Sequence, residues 1–138
     1  MRFMIIRKAD ADTEAGMMPS QELITAMAAY NQEMVDAGVM LSGDGLKPSA
    51  NGARVSFSGG RPTVIDGPFT EAKELIAGVS IIEVASKEEA IEWVKRWPRI
   101  DGGGNVQIEI RPLYEFEDFG GDEEIADLVA LREQMANR

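Results

Sequence analysis

A short run that follows a predicted strand holds the residues most able to do chemistry. Asp66 lies in the tetrapeptide Asp-Gly-Pro-Phe, and Lys73 and Glu74 come soon after it. A carboxylate can transfer a proton, and a lysine whose pKa is lowered by burial can act as a base or a Schiff-base amine. The sequence predicts Asp66 and Lys73 as catalytic residues, in acid/base or orienting roles. The competing interpretation is an Asp-Gly turn beside a surface lysine.

Four other side chains are candidates for contacting a ligand. Asp44 stands between two glycines, where the backbone could approach a small molecule closely. Tyr30 could offer a hydroxyl from the apolar stripe of a helix, and Phe69 and Glu74 flank Lys73. Each has a structural alternative: a turn aspartate, a core tyrosine with its hydroxyl at the rim, a packed phenylalanine and a solvated carboxylate.

The composition excludes several classes of chemistry. The chain has no cysteine and no histidine, so it has no disulfide, no thiolate nucleophile, no Ser-His-Asp triad and no histidine ligand for zinc. The acidic run Glu115–Glu124 lacks the spacing of a calcium loop. We therefore predict no metal and no cofactor.

The charge limits the partners that we expect. The net charge is −10, and such a domain repels phosphate backbones and anionic membranes. No apolar run is long enough to cross a bilayer, and the start lacks the long apolar region of a signal peptide. We predict a cytoplasmic protein that binds neither nucleic acid nor membrane.

Periodicity and turn signals predict the order of elements. A strand at 2–7 and a polar loop at 8–19 precede a helix at 20–37, which Ser20 caps and Gly38 ends. A short strand from Val39 that runs into an irregular, glycine-rich segment and a hairpin that turns at Gly59-Gly60 follow. The next predictions are a bend or one turn at 69–75, a strand at 76–85 and a helix that opens at Ser86 with a capping box. A turn at 101–104, a strand at 106–111 and a last helix that Asp122 caps and that runs to about Ala136 complete the order.

Without the hairpin, this order is the split β-α-β arrangement of a ferredoxin-like α+β fold, with both helices on one face of an antiparallel sheet. The strands around Ile5 and Ile82 are apolar on both sides, and a large bare apolar face is rare on a monomer. We therefore predict a homodimer that pairs sheet against sheet; in the alternative, the last helix covers the second face. Residues 1–118 form the predicted domain, and 119–138 a helical extension.

Several segments, in order, resemble one known family. The run VIDGPFTEAKELIAGVSIIEV, the segment AAYNQEMVDAGVMLSGDGLKP and the closing VQIEIRPL resemble the YCII-related family, in particular its DGPF branch. The resemblance covers most of residues 1–113 and implies a dimeric α+β barrel. Members of the wider group that are suspected of catalysis carry a His–Asp pair, which this chain cannot supply.

Two functions remain open at this level. The first is a small-molecule-binding or enzyme-like dimeric module whose pocket lies between the sheet and its partner and is lined by carboxylates and lysine. The alternative is a non-catalytic regulatory module that binds another protein, a type that the family's association with sigma factors implies. The missing histidine and the acidic tail with its amphipathic helix favour that alternative.

Overall fold

The computed structural model describes residues 1–71 and 74–137 as an α+β fold. Its strands are β1 (Arg2–Lys8), β2 (Met40–Gly45), β3 (Ala53–Ser58), β4 (Arg61–Asp66), β5 (Ile76–Glu83) and β6 (Ile108–Pro112). Its helices are α1 (Ala11–Glu14), α2 (Gln21–Asp36), α3 (Lys87–Val94) and α4 (Asp122–Ala136).

The central sheet is antiparallel and has the order β2-β5-β1-β6, while β3 and β4 form a separate two-stranded hairpin. When the hairpin is set aside, this is the strand order of the ferredoxin-like fold, with α2 and α3 as the two crossover helices. The predicted fold class is confirmed. Residues of both helices and of β1 and β5 share one buried cluster, which contains Phe3, Ile5, Tyr30, Met34, Val39, Ile82, Val84 and Ala90.

Local signals place most element ends. The Ser20 hydroxyl accepts a hydrogen bond from the Leu23 N–H at 3.1 Å and starts α2, and Gly38 follows the helix with φ 71°. Gly59 and Gly60 have φ 57° and 78°, as a tight hairpin turn requires. The helix at 20–37 and the hairpin are confirmed.

Three local predictions are corrected. Residues 8–19 are not all loop, because an Asp10–Thr13 capping box nucleates α1. The irregular segment expected after Val39 is instead a strand whose glycines pair with β5 at the sheet edge. The cap of α4 is Gly121 rather than Asp122, which is the first residue of the helix.

The two faces of the sheet are covered differently. On the helix-covered face, Phe3 and Ile82 are 1% and 0% exposed. On the other face, which we call the open face, cross-strand pairs bring together Met4 with Ile81 and Ile6 with Val79. These four side chains are only half-buried and lie outside the core cluster.

The C-terminal helix leaves most of its own apolar stripe in water. The chain after β6 stays beside the start of β1, where Arg2 and Glu115 form an ion pair at 3.1 Å. Ile125 is the buried residue of α4, whereas Leu128, Leu131 and Met135 are exposed. Packing of α4 across the open face would bury this stripe. The exposure of these side chains is therefore evidence against the alternative in which the last helix covers the second face of the sheet.

Candidate functional site

Polar side chains from distant segments meet at the end of the sheet where β1 finishes. The Lys8 N–H bonds the Gln107 carbonyl, and the Ala9 N–H bonds the Leu75 carbonyl. The chain leaving β1 is therefore held between the entry to β6 and the segment before β5. The Asp-Gly-Pro-Phe motif reaches this same end.

Ser49 joins the motif to α1. Its hydroxyl lies 2.5 Å from the Glu14 carboxylate and accepts a hydrogen bond from the Phe69 N–H at 3.0 Å. The Ser49 N–H also donates to Glu14, at 2.9 Å. The Ser49 hydroxyl thus donates one hydrogen bond and accepts another. It is therefore better placed to hold three loops together than to act as a nucleophile. We call these residues the motif clasp: Glu14, Ser49 and Phe69.

Gly67 permits the close approach of backbones on which the motif clasp depends. A Cβ atom at Gly67 would lie 1.8 Å from the Ser49 carbonyl oxygen, a distance that no side chain tolerates. The Gly67 N–H also bonds the Gly52 carbonyl at 3.0 Å. The glycine of the motif is therefore required by contact with the Ser49–Asn51 turn.

A buried ion pair lies behind the motif clasp. The Arg7 guanidinium donates two hydrogen bonds to the Asp101 carboxylate, at 3.1 and 2.7 Å, and both side chains are 9% exposed. The Trp97 indole donates to the same carboxylate at 2.8 Å, and Arg7 also donates to the Lys8 carbonyl and to Asp10. Nearly every polar atom of this buried pair is therefore satisfied, as burial of charge demands.

The charge states follow from these bonds. Burial by itself raises the pKa of Asp101, but the hydrogen bonds from Arg7 and Trp97 outweigh it and hold the pKa below its usual value. The hydrogen bond to Asp101 raises the pKa of Arg7. The Thr13 N–H, followed by Arg7, lowers the pKa of Asp10. These groups stay charged at neutral pH, so none is poised to transfer protons there.

The two clusters form one connected network. Asp10 accepts from Arg7 and also caps α1, and α1 carries Glu14 of the motif clasp. A chain of hydrogen bonds therefore runs from Asp101, after α3, to Phe69 in the motif. This network fixes the loops that surround the sheet end.

The rim of the open face carries charge. Glu109 lies opposite Ile6, Arg111 opposite Met4, and Asp44 opposite Val79. Directly opposed residues of an antiparallel pair project to the same side. An open depression of about 370 Å³ lies at this rim, lined by Lys8, Gln107, Ile108 and Glu109.

The predicted site residues that the structure describes lie on separate elements. Asp66 is exposed at the end of β4, and Glu74 is exposed near the start of β5. Asp44 is exposed on the open-face side of β2. Lys73 lies outside the described residues.

Tyr30 and Phe69 have structural contacts. The Tyr30 ring is buried against Trp97, its hydroxyl donates to the Trp93 carbonyl at 2.7 Å, and burial raises its pKa to about 12. Phe69 is half-buried in the motif clasp, and the Arg54 guanidinium lies 3.9 Å from its ring centre. The placement of Tyr30 in the core gives no support to a ligand-binding role.

Sequence reasoning missed Arg7, Asp101, Glu14 and Ser49. The only available signal for Arg7 was its position: it continues the alternation that buries Phe3 and Ile5. A charged residue on the buried side of a strand requires a partner. Asp101 was expected in a flexible turn, and nothing local to it identifies Arg7 as that partner.

Among the helices of residues 1–71 and 74–137, none combines the length and the apolar character that a membrane crossing requires. The same ranges contain no cluster of three acidic side chains arranged to hold a metal ion.

Comparisons with known proteins identify relatives. Residues 1–117 match the family model described as the YCII-related domain. An uncharacterized protein of Rhizobium meliloti (strain 1021) is 29% identical over 93 residues, which cover 67% of this chain and 74% of that protein. A solved structure of 5-chloro-2-hydroxyhydroquinone dehydrochlorinase from Burkholderia phenoliruptrix AC1100, in complex with 2,5-dihydroxybenzoquinone, aligns with a TM-score of 0.40 and 19% identity, over 85% of this chain and 98% of that chain.

Proposed function

The chain belongs to the YCII-related domain family, and from this premise we propose that it is a small-molecule-binding module that works as a homodimer. The binding pocket lies between the open face of one sheet and the same face of a second copy. Within the family, the tetrapeptide from Asp66 to Phe69 favours the DGPF branch.

The observation that carries the proposal is the character of the open face. Its centre is apolar (Met4, Ile6, Val79 and Ile81), and charged side chains flank that centre. Small-molecule sites combine this kind of apolar lining with a few polar groups that orient the ligand. The depression at Lys8 and Glu109 marks where the polar end of a ligand would lie.

The exposed area supports a second copy. A compact monomer of 15.1 kDa exposes about 7,100 Å², whereas this chain exposes 9896 Å². The excess of about 2,800 Å² is slightly more than one partner loses in a large obligate homodimer interface, roughly 1,000–2,500 Å². A second copy would therefore remove most of the area that a monomer of this mass does not normally leave in water.

The roles within the pocket follow from chemistry. Asp44 is our candidate for contacting the ligand from the β2 edge of the open face, and Lys8 and Glu109 are our candidates on the same face near its β6 edge. Asp66 and Lys73 remain the proposed acid/base or orienting pair if the bound molecule is also converted. Phe69 and Glu74 are proposed to act from the motif side.

A thermal-shift screen tests the proposal. The full chain is heated with a panel of small organic acids, amines and neutral aromatic metabolites, and its mass is measured by sedimentation. We expect a particle of about 30 kDa, twice 15.1 kDa, and at least one stabilising compound. A ligand at a hundred times its Kd adds about 2.7 kcal/mol to the unfolding free energy.

A matched pair of variants locates the site. Ile6→Glu adds a carboxylate to the open face, whereas Ile24→Glu adds one to the exposed surface of α2. The stabilisation should disappear in the first variant and persist in the second. A panel without any stabilising compound, or stabilisation that survives Ile6→Glu, would contradict the proposal.

A regulatory protein-binding module is the second candidate, and one observation favours it: the exposed apolar stripe of α4. Removal of residues 119–138 should then abolish capture of a specific partner protein while the core remains folded. Capture that is unchanged by this deletion would exclude the tail as its site.

A further inference from the structure

The β3–β4 hairpin carries an apolar face that the described part of the chain leaves in water. Val55 pairs with Val64, and Phe57 with Pro62, on one side of the hairpin. Val55, Phe57 and Val64 are 54%, 70% and 65% exposed. A two-stranded hairpin with nothing against its apolar face is marginally stable at best, so this face is expected to be covered in the working protein.

The helix α4 has the complementary surface. Leu128, Leu131 and Met135 are exposed and spaced to form one stripe. Glu124 and Asp127 lie one turn before Leu128 and Leu131, so carboxylates border this stripe.

The charged residues of the hairpin leave the centre of its apolar face free for contact. Arg54 and Arg61 pair with Ile65 and Ser58 and project from the opposite side, and Asp66 pairs with Ala53 at the base of the apolar side. Two copies with a net charge of −10 each repel each other over most of their surfaces. An uncharged apolar contact is therefore where they can approach.

The two surfaces lie at opposite ends of the sheet. The hairpin leaves from Gly45, the end of β2, beside the end of β1. The helix α4 follows β6, whose end at Pro112 pairs with Phe3 near the start of β1. When two open faces pair with their strands running in reversed directions, each hairpin lies over the partner's C-terminal end, and a two-fold axis produces this contact twice.

We propose that the apolar face of the β3–β4 hairpin docks on the α4 stripe of a second copy of this chain, so that each sheet-to-sheet pocket is closed by elements of both copies. This inference rests on the homodimer of the proposed function and specifies the segments that its two copies exchange.

Crosslinking tests the contact directly, because the chain has no cysteine of its own. One preparation carries Phe57→Cys and another carries Leu131→Cys; the two are mixed to equilibrate and treated with a short bis-maleimide. We expect a mixed crosslinked product of about 30 kDa. The control preparation carries Ser58→Cys, which projects from the opposite side of the hairpin, and should crosslink to Leu131→Cys at least tenfold more slowly.

Dimer affinity provides an independent measurement. Val64→Asp adds a charge to the apolar face of the hairpin, and Thr63→Asp adds the same charge to its other face. We expect the first variant to raise the dimer Kd by at least tenfold more than the second.

The outcomes separate the two proposals. A wild-type dimer that gives no Phe57–Leu131 crosslink, or that weakens equally in Val64→Asp and Thr63→Asp, overturns the hairpin contact and leaves the sheet-to-sheet dimer standing. A monomeric wild type overturns both. A crosslink that forms within one chain in the Phe57→Cys/Leu131→Cys double variant shows that the hairpin covers its own α4, and this also overturns the contact.

Discussion

The two faces of the central sheet show how differently one strand can be used. Along β1, Phe3, Ile5 and Arg7 point toward the helices and are buried, whereas Met4 and Ile6 point to the open face and stay half-buried. The same period-2 pattern produces both sets. The difference arises because the chain places two crossover helices on one side only.

The two faces should contribute to stability in different ways, one within the single chain and one through association. The helix-covered face should stabilise a single chain at any concentration, since all its contacts lie within that chain. The open face should contribute only when another molecule covers it, and its contribution should therefore depend on concentration. The predictions below test this division.

The largest effect is expected from breaking the buried ion pair. Arg7→Met leaves the Asp101 carboxylate buried with Trp97 as its remaining side-chain donor, and loss of one partner of a buried pair costs roughly 3–5 kcal/mol. Urea unfolding at fixed protein concentration measures this. The double variant Arg7→Met/Asp101→Asn should lose less than the sum of the single variants, and additive losses would show that the two charges are not coupled.

Ile81 and Ile82 are adjacent on β5 and project to opposite faces, so variants of the two compare the stability that each face contributes. Ile82 is fully buried, so Ile82→Ala should cost about 2–5 kcal/mol at every protein concentration. Ile81 projects to the open face, so Ile81→Ala should act mainly through the dimer. Urea unfolding over a hundredfold range of concentration distinguishes them, and a concentration-independent loss in Ile81→Ala would refute the division.

A side chain at Gly67, next to the motif clasp, should lower the stability of the fold by an intermediate amount. Gly67→Ala places a methyl group against the Ser49 carbonyl, and forced overpacking costs about 1–3 kcal/mol. Gly52→Ala is the matched control, because its Cβ would meet the same carbonyl at an ordinary 3.6 Å. Thermal unfolding of the two variants measures the difference, and equal melting temperatures would show that the Ser49–Asn51 turn can move away freely.

At acid pH, the stability that the Asp101 carboxylate contributes to the helix-covered side should decrease. Its pKa in the folded chain is lowered below the ordinary 3.8. The carboxylate therefore contributes fully to the free energy of unfolding above pH 3.8, and this contribution is lost as the pH falls through the lower pKa of the folded chain. The difference in free energy of unfolding between wild type and Asp101→Asn should be constant from pH 7 to pH 5 and decrease below about pH 3.8. Chemical unfolding as a function of pH tests this, and a gap that narrows already at pH 5–6 would contradict it.

The smallest effect on stability is expected at the partly exposed ion pair that joins the start of β1 to the segment after β6. Arg2 and Glu115 lie 3.1 Å apart, and the hydrogen bond from Arg2 lowers the pKa of Glu115. Exposed pairs contribute about 1 kcal/mol or less. Glu115→Gln should therefore shift the urea midpoint slightly, and the shift should vanish in 1 M salt. A loss comparable to that of Arg7→Met would mean that the contact between Arg2 and the segment after β6 is a main support of the fold.

Much of the fold could be predicted because its signals are local. Ser20, Gly38 and the Gly59-Gly60 turn mark their elements within a few residues of chain. The site was less predictable. The tetrapeptide around Gly67 was recognised as a motif, but its contacts come from Glu14 and Ser49, which lie far away in the sequence.

The sequence by itself determined the order of strands and helices, their caps and turns, and the apolar character of both sides of the sheet. Only the tertiary structure decided which charged groups are buried and paired. Arg7 and Asp101 are 94 positions apart and meet because β1 and the turn after α3 pack at one end of the sheet. Burial of a charge is tolerable only where such a partner arrives, and local patterns contain no information about partners that long-range packing supplies.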